Sequence, residues 1–247
     1  MIELHPEILK KNGKKVFLNS ADALLKEHAA VIEQITYSAK KDFCFCQLVG
    51  SDPFLKIKYE GEVITSHLIG RYNFENIAAA ICIGKYFGVE VKKIKEAIEK
   101  YVPSNNRSQV LKTKTNTLIL DAYNANPSSM RAAIENFYEM EGDNLPDRQA
   151  GKWLILGDMR ELGVYEIQEH KDILQLIADK KFQNVVLVGE KFSQAFAEMK
   201  LKIPAELFKN SDELVTKMKD TPLSKEPALI LIKGSRGIKL EKVVEYL

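Results

Sequence analysis

Residues 153–189 read WLILGDMRELGVYEIQEHKDILQLIADKKFQNVVLVG. Two short apolar runs, Trp153 to Leu156 and Val185 to Val188, each end in a glycine, Gly157 and Gly189. Glu166 to Lys180 between them reads as an amphipathic helix. Nearly all-apolar strands alternating with such helices predict a parallel sheet covered on both faces. The pattern extends outward in both directions. Further strands are expected at Thr117 to Asp121 and Leu229 to Lys233, with helices at Ser128 to Glu141, Phe192 to Met199, Asp212 to Lys219 and Lys239 to Tyr246. Glycines where strands run into loops mark the carboxyl edge of the sheet, and in doubly wound folds ligands bind along that edge.

Upstream the character differs. Val16 to Asn19 reads as a short strand. Phe43 to Val49 and Phe54 to Tyr59 are rich in aromatic and β-branched residues, with turn chemistry at Ser51-Asp52-Pro53. Glu60-Gly61-Glu62 then leads into Val63 to Thr65, so a small antiparallel meander is expected. From Asn73 the apolar spacing becomes helical through Phe74, Ile77, Ala78, Ile81 and Tyr86, and Gly88 closes that helix. A second helix is expected at Val91 to Tyr101. The aperiodic segment from Val102 to Ser108 is the boundary between the two regions.

The 247 residues are 45% apolar and 28% charged, with 36 Lys+Arg against 34 Asp+Glu, a formal charge of +2. That composition is of a folded, soluble chain with a core, and its near-neutrality argues against a sequence-independent nucleic-acid binder. The longest apolar run, Ile77 to Ile83, is far short of the roughly 20 residues that cross a bilayer. The opening Met-Ile-Glu-Leu-His-Pro shows no export signal, which with the unpaired count of three cysteines points to a reduced, cytoplasmic setting. Cys44 and Cys46 share one strand face. The four histidines have no metal-ligand spacing, so a structural zinc site is not expected. Neither GxGxxG nor GxxxxGK(S/T) occurs, so any nucleotide is handled without a phosphate-cradling loop from this chain.

Four constellations carry polar chemistry. In GRYNFENIAAA, residues 70–80, Asn73 opens a helix and Asn76 lies one turn on. Two carboxamides at one helix end match the donor and acceptor edge of adenine, and they equally suit a capped, tightly packed helix. Asp121-Ala-Tyr123-Asn124-Ala-Asn126-Pro127 follows a strand and precedes a helix. Asp121 is placed to accept from ribose hydroxyls, while Asn126-Pro127 is also an ordinary helix start. Leu156 to Gly163 puts Asp158, Arg160 and Glu161 between two glycines, as a site or as a loop and cap. Lys233-Gly-Ser235-Arg236-Gly237 after the last strand reads as an anion site. Arg107 in the joint is either a ligand group or a solvated linker charge.

Individually ambiguous, in this order and spacing these segments resemble the Mur ligase family over essentially the whole chain. The resemblance implies a Rossmann-like, mostly parallel α/β domain over residues 107–247. Over residues 1–106 it implies the remaining part of a central α/β ATP-binding domain with a small antiparallel sheet. It implies an ATP-dependent carbon–nitrogen ligase of peptidoglycan precursor synthesis that adds D-alanyl-D-alanine to UDP-MurNAc-tripeptide through an acyl phosphate. Tyr123-Asn-Ala-Asn-Pro127 separates that member from the diaminopimelate- or lysine-adding ligases and from folylpolyglutamate synthetase. A non-catalytic binding module of the same fold is the alternative from another class.

By the same resemblance Asn73 and Asn76 contact adenine, Asp121 the ribose, and Arg107 the ribose or phosphates of ATP. Tyr123, Asn124, Asn126, Asp158, Lys233, Ser235 and Arg236 belong to the substrate side. The family's UDP-sugar domain, P-loop, Mg²⁺ ligands and carbamylated lysine have no counterpart here. The chain is therefore expected to be a monomeric fragment that is inactive alone and holds neither catalytic nor metal ligands. Tyr72, Leu120 and Ala21 depart from the family pattern, where a histidine and two acidic residues are usual.

Overall fold

In a computed structural model of the chain the described residues are 15–30, 32–38, 42–51, 53–140, 151–200, 202–224 and 226–247. The opening Met1-to-Pro6 stretch, Asp52 of the expected turn and Glu141 of an expected helix lie outside them. Two compact units are present, Met1–Val102 and Pro103–Leu247.

The amino-terminal unit contains two three-stranded sheets. β1 (Lys15–Asn19), β2 (Glu33–Ser38) and β3 (Cys44–Phe45) pair in parallel, with α1 (Ala23–His28) between β1 and β2. β4 (Gln47–Gly50), β5 (Phe54–Tyr59) and β6 (Glu62–Ile69) form the antiparallel sheet. In β5 the alternation is clean: Leu55, Ile57 and Tyr59 are buried while Lys56 and Lys58 face outward, the period-two pattern of a sheet with one wet face. Glu60 and Gly61, with φ of 44° and 87°, make the two-residue turn into β6 that the right-handed strand twist favours.

The single strand expected over Phe43 to Val49 is two strands in different sheets. It changes partner at Cys46, whose N–H donates to the Ser38 carbonyl at 3.3 Å before the chain joins β5. Periodicity runs unbroken through such a switch because both segments bury the same parity. Cys44 and Cys46 sit in one core with Leu55, Ile57, Ile77, Ile81, Cys82 and Ile94. α2 (Phe74–Tyr86) contributes the stripe Ile77, Ala78, Ile81 and Cys82, and α3 (Val91–Lys100) contributes Ile94. Gly88, at φ 73°, closes α2 by donating to the Lys85 carbonyl.

The carboxyl-terminal unit is built on one six-stranded sheet, ordered β11-β10-β9-β12-β8-β7. These strands are β7 (Gln109–Lys112), β8 (Thr117–Asp121), β9 (Lys152–Gly157), β10 (Asn184–Val188), β11 (Ala205–Phe208) and β12 (Leu229–Lys233). All neighbours are parallel except β7, which returns antiparallel along β8. The helices are α4 (Pro127–Glu139), α5 (Glu166–Asp179), α6 (Glu190–Met199) and α7 (Ser211–Asp220). α7 lies on one sheet face with Leu120, Ile155, Val186, Ile230 and Ile232. The helix expected at Lys239 to Tyr246 is instead 3-10 turns, Leu240–Tyr246, whose Leu240 and Val243 join that layer. The opposite parity, Leu154, Leu156, Val185 and Leu187, is equally buried and is left to α4, α5 and α6.

β7 and β11 escape sequence reading because edge strands keep one side wet and lose the continuous apolar signal. The chain runs β8, then β9, then outward to β11, and returns to place β12 between β9 and β8. That insertion is a topological switch, and it brings the carboxyl ends of β8, β12 and β9 side by side.

Candidate functional site

Lys233 and Asp121 are the last residues of β12 and β8 and are direct cross-strand partners. Lys233 Nζ donates to Asp121 Oδ2 at 2.5 Å and to the Asn124 carbonyl at 3.2 Å. Asp121 Oδ1 accepts the Ser108 N–H at 3.1 Å. The lysine side chain is 2% exposed and the aspartate 13%, so water screens this pair little. Lys233 is thereby engaged internally by two acceptors. It locks the βα turn to the neighbouring strand.

Ser235 performs a similar tie. Its hydroxyl accepts the Arg160 N–H at 2.9 Å and donates to the Ala125 carbonyl at 3.4 Å, and its N–H donates to the Asp158 carbonyl. Gly234 makes the approach possible: a Cβ there would lie 2.9 Å from Gly157 Cα.

Asp158 is a helix cap. Gly189, in the N-cap position of α6, has no side chain to offer the free N–H groups of the first turn. The Asp158 carboxylate reaches across from the end of β9 and accepts from Phe192 N–H at 2.9 Å and Lys191 N–H at 3.0 Å. A carboxylate at a helix N-terminus is doubly favoured, by hydrogen bonds and by the dipole. Asn126 is also a cap, with its Oδ1 accepting from Ser129 N–H at 2.8 Å in a reciprocal capping box that starts α4. The Asn124 side chain is exposed, and its backbone carbonyl serves Lys233.

Sequence reading missed His170, which is fully buried on α5 beneath the Asp158–Arg160 loop. Its Nε2 accepts the Met159 N–H at 3.0 Å, so the proton resides on Nδ1, facing the Glu166 carbonyl at 2.6 Å. Burial holds its pKa below the ordinary histidine value, against the opposing pull of the Glu166 carbonyl and the Asp158 carboxylate 3.7 Å away. The folded state therefore refuses a proton that the unfolded chain accepts. The contribution is fully present above about pH 6.5 and is lost as pH falls through the depressed folded value. Denaturant midpoints of the carboxyl-terminal unit should drop between pH 7 and 5, and His170→Gln should flatten that profile. An unchanged slope in the variant would refute the assignment.

Three arginines remain at this edge. Arg107 and Arg236 place their guanidinium carbons 3.9 and 5.4 Å from the centre of the same ring, Tyr123. Arg160 lies against Gly237, where a Cβ would meet its Nη1 at 2.3 Å. Arg160 stood in the loop quoted above as one charge among three. The structure gives it a place.

In the amino-terminal unit, Asn73 does not cap α2. Its Nδ2 donates back to the Ile69 carbonyl at 2.8 Å, and its Oδ1 accepts from Asn76 Nδ2 at 3.0 Å. The two amides are joined rather than presented separately. Asn73 is buried and Asn76 exposed.

Residues 106–236, more than half of the chain, match the family described as Mur ligase, glutamate ligase domain. The chain belongs to the Mur ligase family. A relative from Bacillus subtilis (strain 168), named UDP-N-acetylmuramoyl-tripeptide–D-alanyl-D-alanine ligase, is 36% identical over 97% of this chain and 52% of its own length. Among solved Mur ligase structures, the Acinetobacter baumannii UDP-N-acetylmuramoylalanyl-D-glutamyl-2,6-diaminopimelate–D-alanyl-D-alanyl ligase superposes with a TM-score of 0.76 at 21% identity. It covers 94% of this chain and 50% of its own. MurF from Thermotoga maritima, solved with ADP, gives 0.73 at 21% identity, with 97% and 55% covered. The chain thus spans about half the length of the Mur ligases it matches. Among the described residues no helix is long and apolar enough to cross a membrane.

Proposed function

We propose that this chain is the part of a D-alanyl-D-alanine-adding Mur ligase that follows the phosphate-binding loop. In this reading residues 1–106 are the later part of the central ATP-binding domain and residues 107–247 the carboxyl-terminal domain. The reaction joins D-alanyl-D-alanine to the tripeptide of UDP-MurNAc-tripeptide, with ATP activating the carboxylate as an acyl phosphate. The observation that carries the reading is the 36% identity to a ligase of that name, which extends through both units. The protein would work in the cytoplasm as a monomer.

The residues present fit a nucleotide in part. Asn76 keeps its carbonyl oxygen and its second amide hydrogen, the acceptor and donor that an adenine edge needs, while Asn73 holds it in place. Asp121 retains lone pairs for ribose hydroxyls beyond the two donors it already serves. Bound ATP supplies the γ-phosphoryl group that turns a poor carboxylate electrophile into a good one. Among the described residues no group of three His, Cys, Asp or Glu side chains could hold a metal, so Mg²⁺ would rely on ligands from elsewhere in the enzyme.

The test is a chimera in which this chain replaces the matching half of the Bacillus subtilis relative. The expected product is UDP-MurNAc-pentapeptide, formed with phosphate release only when ATP and D-alanyl-D-alanine are both present. The 247-residue chain alone should form none. A folded chimera that turns over with lysine, diaminopimelate or glutamate instead would overturn the reading.

A further inference from the structure

Asp158, Met159 and Arg160 leave β9 in succession, and each is tied to a different element. The Asp158 carboxylate serves the first turn of α6, Met159 N–H donates to His170 on α5, and Arg160 N–H donates to Ser235 beyond β12. Of these ties, the one to His170 depends on a side chain of the type that titrates near neutrality. The ring is held on three sides. Nδ1 faces the Glu166 carbonyl at 2.6 Å, Nε2 accepts from Met159 N–H at 3.0 Å, and the Phe192 ring packs edge-on with its centre 4.6 Å away. The imidazole therefore does not turn aside without breaking its contact with Glu166.

An added proton has one place to go. Nδ1 already carries the hydrogen that faces Glu166, so protonation occurs at Nε2 and sets N–H against N–H at Met159. An acceptor stands close by, because Asp158 Oδ1 lies 3.7 Å from Nε2. Closing that gap to a charge-assisted hydrogen bond of about 2.8 Å takes a shift of roughly 1 Å. Oδ1 is the oxygen that accepts from Phe192 N–H, whereas Oδ2 accepts from Lys191 N–H. Asp158 thus reaches the imidazolium by releasing Phe192 alone. The other charges that face the ring are Glu166 from its own helix and Lys191 from α6. They pair with each other at 2.8 Å, so their opposing effects on an imidazolium largely cancel and Asp158 is left to receive it.

We propose that Asp158 and His170 form a proton-operated switch, in which the Asp158 carboxylate exchanges its hydrogen bond from Phe192 N–H for an ion pair with His170 Nε2. With His170 neutral, the loop from Asp158 to Arg160 is fastened to α5, to α6 and to the exit of β12. With His170 protonated, Met159 N–H loses its acceptor and α6 loses one of its two cap bonds, while the tie of Arg160 N–H to Ser235 remains. The neutral state holds above about pH 6.5, and the paired state takes over as pH falls through the depressed folded value. The switch lies wholly within the carboxyl-terminal unit and involves no ligand, so it stands or falls independently of the proposed function.

Ring-nitrogen and backbone-amide resonances of the 247-residue chain, followed by NMR from about pH 7.5 to about pH 4.5, test the switch. His170 Nε2 should start as the bare nitrogen and gain its proton in one step. The Met159 and Phe192 amide protons should move upfield at that same midpoint, and their exchange protection factors should drop roughly tenfold, while the Lys191 amide holds its position. Asp158→Asn keeps an oxygen for Phe192 N–H but has no charge to offer the ring. In that variant the midpoint should fall and the Phe192 shift should vanish, with the Met159 shift retained. A Phe192 amide that ignores the His170 titration, or that still follows it in folded Asp158→Asn, overturns the switch. So does the joint loss of all resonances of the unit with no earlier step, since His170 would then be a structural group alone. Should Asp158→Asn fail to fold, the Phe192 and Lys191 amides of the unmodified chain decide the question, one moving and the other still.

Discussion

Asp121→Ala should cost the carboxyl-terminal unit about 3–5 kcal/mol, the range for stranding one charge of a buried pair. The ammonium of Lys233 has two acceptors, the Asp121 carboxylate and the Asn124 carbonyl. Removing the carboxylate leaves a nearly inaccessible cation with a single neutral partner, at the end of a strand buried along its whole length. The same substitution removes the Asp121 Oδ1 acceptor of the Ser108 N–H, and Ser108 sits at φ 50°, a strained conformation for a serine that this hydrogen bond helps hold. Asp121→Ala combined with Lys233→Met should recover most of the loss, because an apolar side chain of similar length replaces the stranded charge. Urea unfolding followed by circular dichroism measures both. A single-variant loss below about 1 kcal/mol would show that water reaches Nζ and that the pair is worth no more than a surface one.

The second large effect is expected at Gly189. Its backbone, at φ 129° and ψ 164°, lies in a region that only glycine occupies without strain, worth about 1–3 kcal/mol for another residue. A Cβ would also lie 2.2 Å from the Asp158 carboxylate. That carboxylate is the cap of α6, so the methyl group displaces the acceptor of two N–H groups, a further 1 kcal/mol or so. Gly189→Ala should therefore lower stability by about 2–4 kcal/mol. In an Asp158→Ala background the same change should cost distinctly less, since the clash and the cap are then already gone. Additive losses would mean that backbone strain alone is responsible.

The alternation of apolar strands and amphipathic helices after Arg107 made the parallel sheet legible, because strands buried on both faces leave a strong signal. Strand order was not legible: β12 enters the middle of the sheet from the far end of the chain, and no local pattern records that. The site was legible as a set of segments, whereas the internal partners of its residues were not. A lysine beside glycines at a helix start suggests an anion; only the Asp121–Lys233 register shows that the charge is already used. Asp158 drew attention as a charge at a strand exit, yet the glycine that needs it as a cap lies 31 positions away in sequence. His170 left no trace, since a single histidine on a helix looks the same whether it faces water or a loop backbone. Arg107 and Arg236 are 129 positions apart, and only the fold shows that one tyrosine serves both.

The two units carry reporters that do not overlap. All three thiols, Cys44, Cys46 and Cys82, are free and buried in the amino-terminal unit, and burial pushes the Cys82 thiol up to about 12. A thiol so protected and so rarely ionised reacts with an alkylating reagent only when that unit opens. The sole tryptophan, Trp153, lies half-buried on β9 in the other unit. Labelling rate and indole fluorescence from one unmodified sample would thus time the opening of each unit separately, and their difference would measure how strongly the two unfold together.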